Sequence, residues 1–336
     1  MTKVMRIVLK LAKYFVVLIA VLIVAGTIYQ WQAAGSDRAK FPAPGEMFSV
    51  DGLEMHLDCR GQGEPVVILE SGLMSGSSSW GLVHDALSET TRVCAYDRSG
   101  MDWSAISDQP IDAVVVSRRL HTLLSAAGIE GEQILLGMSA GGVFVREYYQ
   151  RYPENIVGMV LVDSSHEQQG DRLPEIGDPS QMSTILSLCS WLQPIGVIRV
   201  FSLLDAFFDQ LHLPPEMAAL ARANAYQSHR CGAMLLETQG FQREVSDSQP
   251  PVSLGDLPLV VISQGKAPEA NETFGMTLAD AQEMAVIWDQ LQNELTALST
   301  VGLRYIAHQS GHVIQMEQPQ IVIDKVTELV SRLRAK

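Results

Sequence analysis

A serine flanked by small residues is the first candidate for chemistry. Gln133 to Tyr152 reads QILLGMSAGGVFVREYYQRY, which sets Gly137-Met138-Ser139-Ala140-Gly141 between a stretch suited to a strand and one suited to a helix. A sharp turn of this kind needs glycine on both sides of its central residue, because bulkier side chains would collide with the adjoining strand and helix. It lifts the Ser139 hydroxyl above a sheet, at a helix N-terminus whose dipole favours developing negative charge. The chemistry implied is nucleophilic attack by Ser139, provided a base removes its proton.

Among the histidines, His56, His84, His121 and His229 fall in strand or helix patterns, His308 closes an expected strand, and His166 follows closely on Asp163. His312 lies in Gln309-Ser310-Gly311-His312, after the last expected strand and before the closing helix, where a loop emerges on the same sheet edge as Ser139. A loop suits a base that moves between nucleophile and leaving group. No CxxC pair and no Cys/His cluster at zinc spacing occurs, so neither a metal nor a cofactor is expected.

These residues need a frame. Met47–Val50 and Leu53–Cys59 read as strands joined at Asp51-Gly52, a two-residue hairpin connection. Val66–Glu70 and Arg92–Tyr96 are further strands. Strands then alternate with helices: helix Val114–Ala127, strand Gln133–Leu136, helix Val143–Tyr152, strand Val157–Val162. After an interruption come strand Leu259–Ser263, a helix around Leu278–Leu298, strand Leu303–Ala307 and an amphipathic helix Pro319–Leu333. Such alternation predicts a parallel sheet covered on both faces. The interruption is mostly helical and apolar, as in Phe201–Leu213 and Glu216–Tyr226, and reads as an inserted cap over residues 164–256.

The formal charge is −14, yet Lys3, Arg6, Lys10 and Lys13 give the first thirteen residues +4 and leave −18 for the rest. A nucleic-acid partner is therefore not expected for the folded part. Tyr14 to Trp31 is apolar apart from Thr27 and Gln30, near the lower end of the roughly 17–25 residues that span a bilayer. Residues 1–32 are read as a basic flank and membrane anchor, with the folded part on the outer side because the basic flank stays in the cytoplasm. Val24-Ala25-Gly26 leaves a cleaved signal peptide as the alternative. Residues 33–45, rich in small, charged and proline residues, read as a linker that stands the domain off the membrane.

From about Glu46 onward the chain resembles the α/β-hydrolase superfamily, and more closely its bacterial membrane-anchored esterase-like members. The resemblance rests on four features in the family's order: Gly137–Gly141 around Ser139, Tyr96-Asp97-Arg98-Ser99-Gly100 after a strand, Leu161-Val162-Asp163, and Ser310-Gly311-His312. It implies an eight-stranded, mostly parallel sheet with a helical cap, and a core formed by residues 46–163 and 257–336. The chain order of serine, acid and histidine in this family favours His312 over His166. The resemblance also implies backbone N–H donors for an oxyanion at Ala140, after the nucleophile, and at Leu73, after Ser71-Gly72 where relatives carry His-Gly. Met138 stands where many members have histidine.

The acid is the less standard member. Where many relatives carry Asp three residues after a glycine, Gly265 is followed by Lys266, Ala267 and Pro268. Asp163 stands where some lipases of the superfamily place the acid, and Glu269 is the second choice. The activity implied is serine carboxylesterase or lipase chemistry on a small, apolar ester. The alternatives are another use of the same residues (C–C, peptide or thioester hydrolysis, or cofactor-free peroxidation) or a non-catalytic binding module. Trp191, Phe201, Leu203, Phe207, Phe208 and Leu211 could line an acyl pocket or form the cap's own core. Because the strands carrying Cys59 and Cys94 neighbour each other in the superfamily, a disulfide between them is implied, with Cys189 and Cys231 as the other candidate pair.

Overall fold

Asp51 and Gly52 both take positive φ (51° and 78°), the backbone of a tight two-residue hairpin turn. They join β1 (Glu46–Val50) to β2 (Leu53–Arg60), antiparallel with Val50 opposite Leu53. β3 (Val66–Glu70), β4 (Val93–Tyr96), β5 (Gln133–Met138), β6 (Ile156–Val162), β7 (Leu259–Gln264) and β8 (Leu303–Ala307) follow. The order across the sheet is β1-β2-β4-β3-β5-β6-β7-β8. β2 pairs antiparallel with β4, and every pairing from β4 to β8 is parallel. The computed structural model describes residues 3–174, 180–211, 213–246, 250–270 and 275–335.

The central strands are apolar throughout because both faces are covered. Val66, Ile68, Leu135, Met159 and Leu161 enter one core cluster with Leu120, Leu123 and Leu124 of α3 (Ala113–Ala126) and Val145 and Tyr148 of α4 (Ala140–Arg151). The alternate residues Val67, Leu69, Leu136, Val160 and Val162 enter a second cluster with Val83 and Leu87 of α2 (Gly81–Ser88) and Val322, Val326 and Leu329 of the C-terminal helix Pro319–Arg334. The period-two alternation thus assigns each side chain to one of two cores. Cys59 lies opposite Cys94 in the β2–β4 register, and a disulfide joins them.

The chain divides into two compact units, residues 43–184 with 233–336 and residues 1–42 with 185–232. The first holds the sheet. The second holds α1 (Lys3–Lys40) with the helical segments that follow residue 184, and the Cys189–Cys231 disulfide lies within it. Between β6 and β7 the helices are α5 (Gln169–Arg172), α6 (Gln181–Leu192), α7 (Val197–Val200), α8 (Asp205–Gln210), α9 (Pro215–Ala225) and α10 (Arg230–Ser246). α11 (Leu278–Thr296), α12 (Ile314–Glu317) and α13 (Pro319–Arg334) complete the chain.

Three expectations are corrected. The linker over 33–45 is largely helix, since α1 continues to Lys40. Tertiary contacts hold it: Arg199 pairs with Asp37 at 2.8 Å, and Arg38 donates to Asn224 Oδ1 at 3.1 Å. The insertion 164–256 is not one body, because its flanks belong with the sheet-bearing unit. Arg146 pairs with Glu167 at 2.8 Å, Arg98 with Glu237 at 2.7 Å, and Phe144 meets Phe241 edge-on at 6.1 Å. The helix expected over Phe201–Leu213 is shorter, with a positive-φ residue at Ser202 preceding α8; His212 lies outside the described residues.

Candidate active site

Ser139 sits between the end of β5 and the start of α4, with φ 53° and ψ −124°. A non-glycine residue adopts this backbone only where its surroundings over-determine it. Here Ser139 N–H donates to Val162 O at 3.1 Å, while the glycines let the turn close. A Cβ on Gly137 would come within 2.5 Å of Gly141 O, and one on Gly141 within 2.6 Å of Glu70 O.

His312 stands in the loop after β8. Gly265 and Lys266 both donate backbone N–H groups to Ser310 O (3.1 and 3.0 Å), and Gly311 N–H donates to Glu317 Oε2 at 2.9 Å. Asp163 follows β6, is fully buried, and has φ 41°. The three side chains meet. Ser139 Oγ lies 3.0 Å from His312 Nε2, and His312 Nδ1 lies 2.6 Å from Asp163 Oδ2. With Nδ1–H donating to the carboxylate, Nε2 is left to accept from the hydroxyl.

Asp163 is held from two further directions. Its Oδ1 accepts the Gln264 N–H at 2.9 Å and the indole Nε1–H of Trp288 at 3.0 Å. The Trp288 ring also meets His312 edge-on, with centroids 5.9 Å apart. Glu269, the alternative acid, is exposed, and the histidine's Nδ1 faces Asp163 instead. His166 is buried, which lowers its pKa, and its ring addresses Gln168 N–H at 3.0 Å and Glu294 at 3.6 Å.

Leu73 and Ala140 come together in one apolar cluster with Val143. Ala140 is the first residue of α4, whose leading N–H groups find no acceptor within the helix. The loop bearing Leu73 approaches Ser139 closely: a Cβ on Gly72 would lie 2.7 Å from Met138 Sδ and 3.3 Å from Ser139 Cβ.

Arg98 braces that loop from below. Its guanidinium donates to Ser71 O and Gly72 O, both at 2.7 Å, and to Ser75 O at 3.2 Å. Its remaining N–H groups go to Glu70 and Glu237, and Glu237 also accepts from Met74 N–H. Burial opposes the Arg98 charge, but the two carboxylates outweigh it and hold the group firmly protonated. Sequence reasoning quoted Arg98 only as part of a turn and passed over Glu237 and Trp288. Their partners lie 139 and 125 residues away, so no local pattern marks them.

A family model for the alpha/beta hydrolase fold matches residues 64–190. A protein of Hormonema carpetanum described as "Probable transporter efuK" is 27% identical over 291 residues, covering 82% of this chain but only 41% of that protein. An AB hydrolase superfamily protein of Gibberella zeae is 25% identical over 290 residues, covering 81% of this chain and 88% of its own length. Among solved structures, a thermophilic esterase from Thermogutta terrifontis has TM-score 0.59 at 15% identity, covering 85% of this chain and 98% of the esterase. A membrane phospholipase A described as a bacterial virulence factor has TM-score 0.57 at 17% identity, covering 98% of this chain and 99% of its own. The strand order, the turn that carries Ser139 and these likenesses together show that the chain has the α/β-hydrolase fold.

Proposed function

We propose that the protein is a membrane-anchored serine hydrolase that cleaves carboxylic-ester-like bonds through an acyl-enzyme. The observation that carries this reading is the continuous line from Ser139 Oγ through His312 to Asp163, at 3.0 and 2.6 Å. Ser139 Oγ attacks the ester carbonyl carbon while His312 Nε2 takes the hydroxyl proton. Asp163 keeps the proton on Nδ1 and stabilises the imidazolium that forms. The carbonyl oxygen gains charge and is met by the N–H groups of Leu73 and Ala140. The C–O bond to the leaving alcohol then breaks, and His312 returns its proton to that oxygen. Water, deprotonated by His312, adds to the acyl carbon and releases the acid with Ser139 restored.

The apolar helix α1 supports the anchored reading. Its two polar interruptions are satisfied without water: Thr27 bonds back to Ile23 O at 2.9 Å, and Gln30 donates to Tyr226 O at 2.7 Å. Gly26, part of the small-residue run that resembles a cleavage site, serves close packing, since a Cβ there would lie 2.2 Å from Ile195 O. The basic flank then puts the sheet-bearing unit on the outer side of the membrane. A small apolar ester is the proposed substrate class.

The test is covalent. A fluorophosphonate probe should label Ser139, and Ser139→Ala should lose both labelling and turnover of an aryl ester. Full activity in that variant removes the proposal.

A further inference from the structure

Several large apolar side chains of the unit that contains α1 are left exposed. Leu188 is 60% exposed, Trp191 77%, Phe201 69%, Leu203 56% and Phe207 59%. On α6, Ile185, Leu188 and Trp191 recur every three residues along one outward face, while Leu186 and Cys189 turn inward. Cys189 packs with Ile198, Tyr226 and Cys231. α6 is therefore apolar on both faces, which a water-facing helix is not.

The same unit fixes how deep this surface stands. The turn joining α6 to α7 lies directly on α1: a Cβ on Gly196 would come within 2.8 Å of Gly26 O, and one on Gly26 within 2.2 Å of Ile195 O. A hydrocarbon core about 30 Å thick takes about 20 helical residues. Counted from Lys10 or from Lys13, the last cations before the apolar run, that length ends near Gln30 or Ala33. Gly26 then lies about 6 to 10 Å inside the outer boundary of the hydrocarbon. Sliding the helix outward until Gly26 clears the bilayer would draw Lys10 and Lys13 into its interior, at a cost of several kcal/mol.

We propose that the exposed apolar face of this unit, led by Leu188, Trp191, Phe201 and Phe207, sits in the headgroup and acyl boundary of the same bilayer that α1 crosses. The occupant of the surface is lipid. Continuity with α1 supplies the argument, because the α6–α7 turn cannot leave the boundary while it stays docked at Gly26. Helices that lie in the interface bury their apolar faces to the same depth of about 5–10 Å.

The inference rests on reading α1 as a membrane anchor, and one experiment separates the two. The full chain is reconstituted in phosphatidylcholine vesicles, either plain or brominated at shallow acyl positions, alongside Trp191→Phe and Trp31→Phe variants. Phenylalanine keeps the apolar contact, so both variants should fold. The emission lost in Trp31→Phe reports the anchor, and that lost in Trp191→Phe reports the proposed surface. The Trp191 contribution should fall roughly twofold or more in brominated vesicles, as expected for a ring at that depth. A quenched Trp31 with an unquenched Trp191 overturns the inference and leaves the anchor standing, whether water or a second copy of the chain covers the face. If neither residue is quenched, both readings fail.

Discussion

Replacing Arg98 with lysine separates a positioning role from a purely structural one. Arg98 has five N–H groups, and the structure uses them on Glu70, Glu237 and the carbonyls of Ser71, Gly72 and Ser75. Lysine keeps the charge but has three donors, so two loop carbonyls lose their partners even if both carboxylates stay paired. Each buried group left unsatisfied costs about 1–3 kcal/mol, which puts the destabilisation at roughly 2–6 kcal/mol. The carbonyls of Ser71 and Gly72 fix the peptide planes on either side of Gly72, the second of which carries the Leu73 N–H. A wholly lost oxyanion donor costs about 100- to 1,000-fold in kcat, so a loosened one should cost about 10- to 100-fold. Hydrolysis of p-nitrophenyl butyrate, assayed well below the variant's unfolding temperature, should show that fall in kcat with KM little changed. Fluorophosphonate labelling should slow in parallel, because it builds charge on an oxygen in the same place. A variant that melts earlier yet retains kcat within twofold, with unchanged labelling, would refute the positioning argument.

Asp163→Asn should lower kcat by about four orders of magnitude, the effect of the corresponding change in a serine protease, while Glu269→Gln should leave steady-state kinetics untouched. Equal losses in the two variants would contradict the assignment of the acid. His229 is held neutral, its pKa pushed down to about 4 by burial and by the charges of Arg38 and Arg230. In the unfolded chain it titrates near 6.5, so the unfolded state takes up the proton first as pH falls. The unfolding free energy should therefore drop by about 3 kcal/mol between pH 6.5 and 4 on this account, and His229→Gln should remove that part of the acid sensitivity in denaturant titrations. An unchanged pH dependence in His229→Gln would refute it.

Ser139 and His312 could be singled out because each sits in a short local pattern, and the structure brings their side chains within 3.0 Å. Ser139 needs glycine neighbours for steric reasons, and His312 needs only a loop at the correct strand end. Asp163 is suggested by its place after β6, while local spacing alone leaves Glu269 as a rival. The strands read correctly because their periodicity is intrinsic to the sheet, with Val66 and Val67 entering opposite cores. The misread parts depend on distant partners. Ala33 to Lys40 carries Gly35 and Ser36 and looks like a tether, yet Asp37 and Arg38 find partners at Arg199 and Asn224 that keep it helical. Apolar residues at helical spacing suggest a core, yet Trp191 and Phe201 are exposed, which excludes them from the cap's own core.

The two disulfides have a consequence for how the chain is cross-linked. Four cysteines permit three pairings, but the backbone presets one of them: the Cα atoms of Cys59 and Cys94 are 4.0 Å apart and those of Cys189 and Cys231 are 5.7 Å apart. Each bridge closes inside a single compact unit, over separations of 35 and 42 residues. Neither bridge ties one unit to the other, so the loss of either leaves the two units joined by the chain alone. A chain reduced at one bridge would carry one cross-linked unit and one without a cross-link, distinguishable by thiol alkylation and peptide mapping.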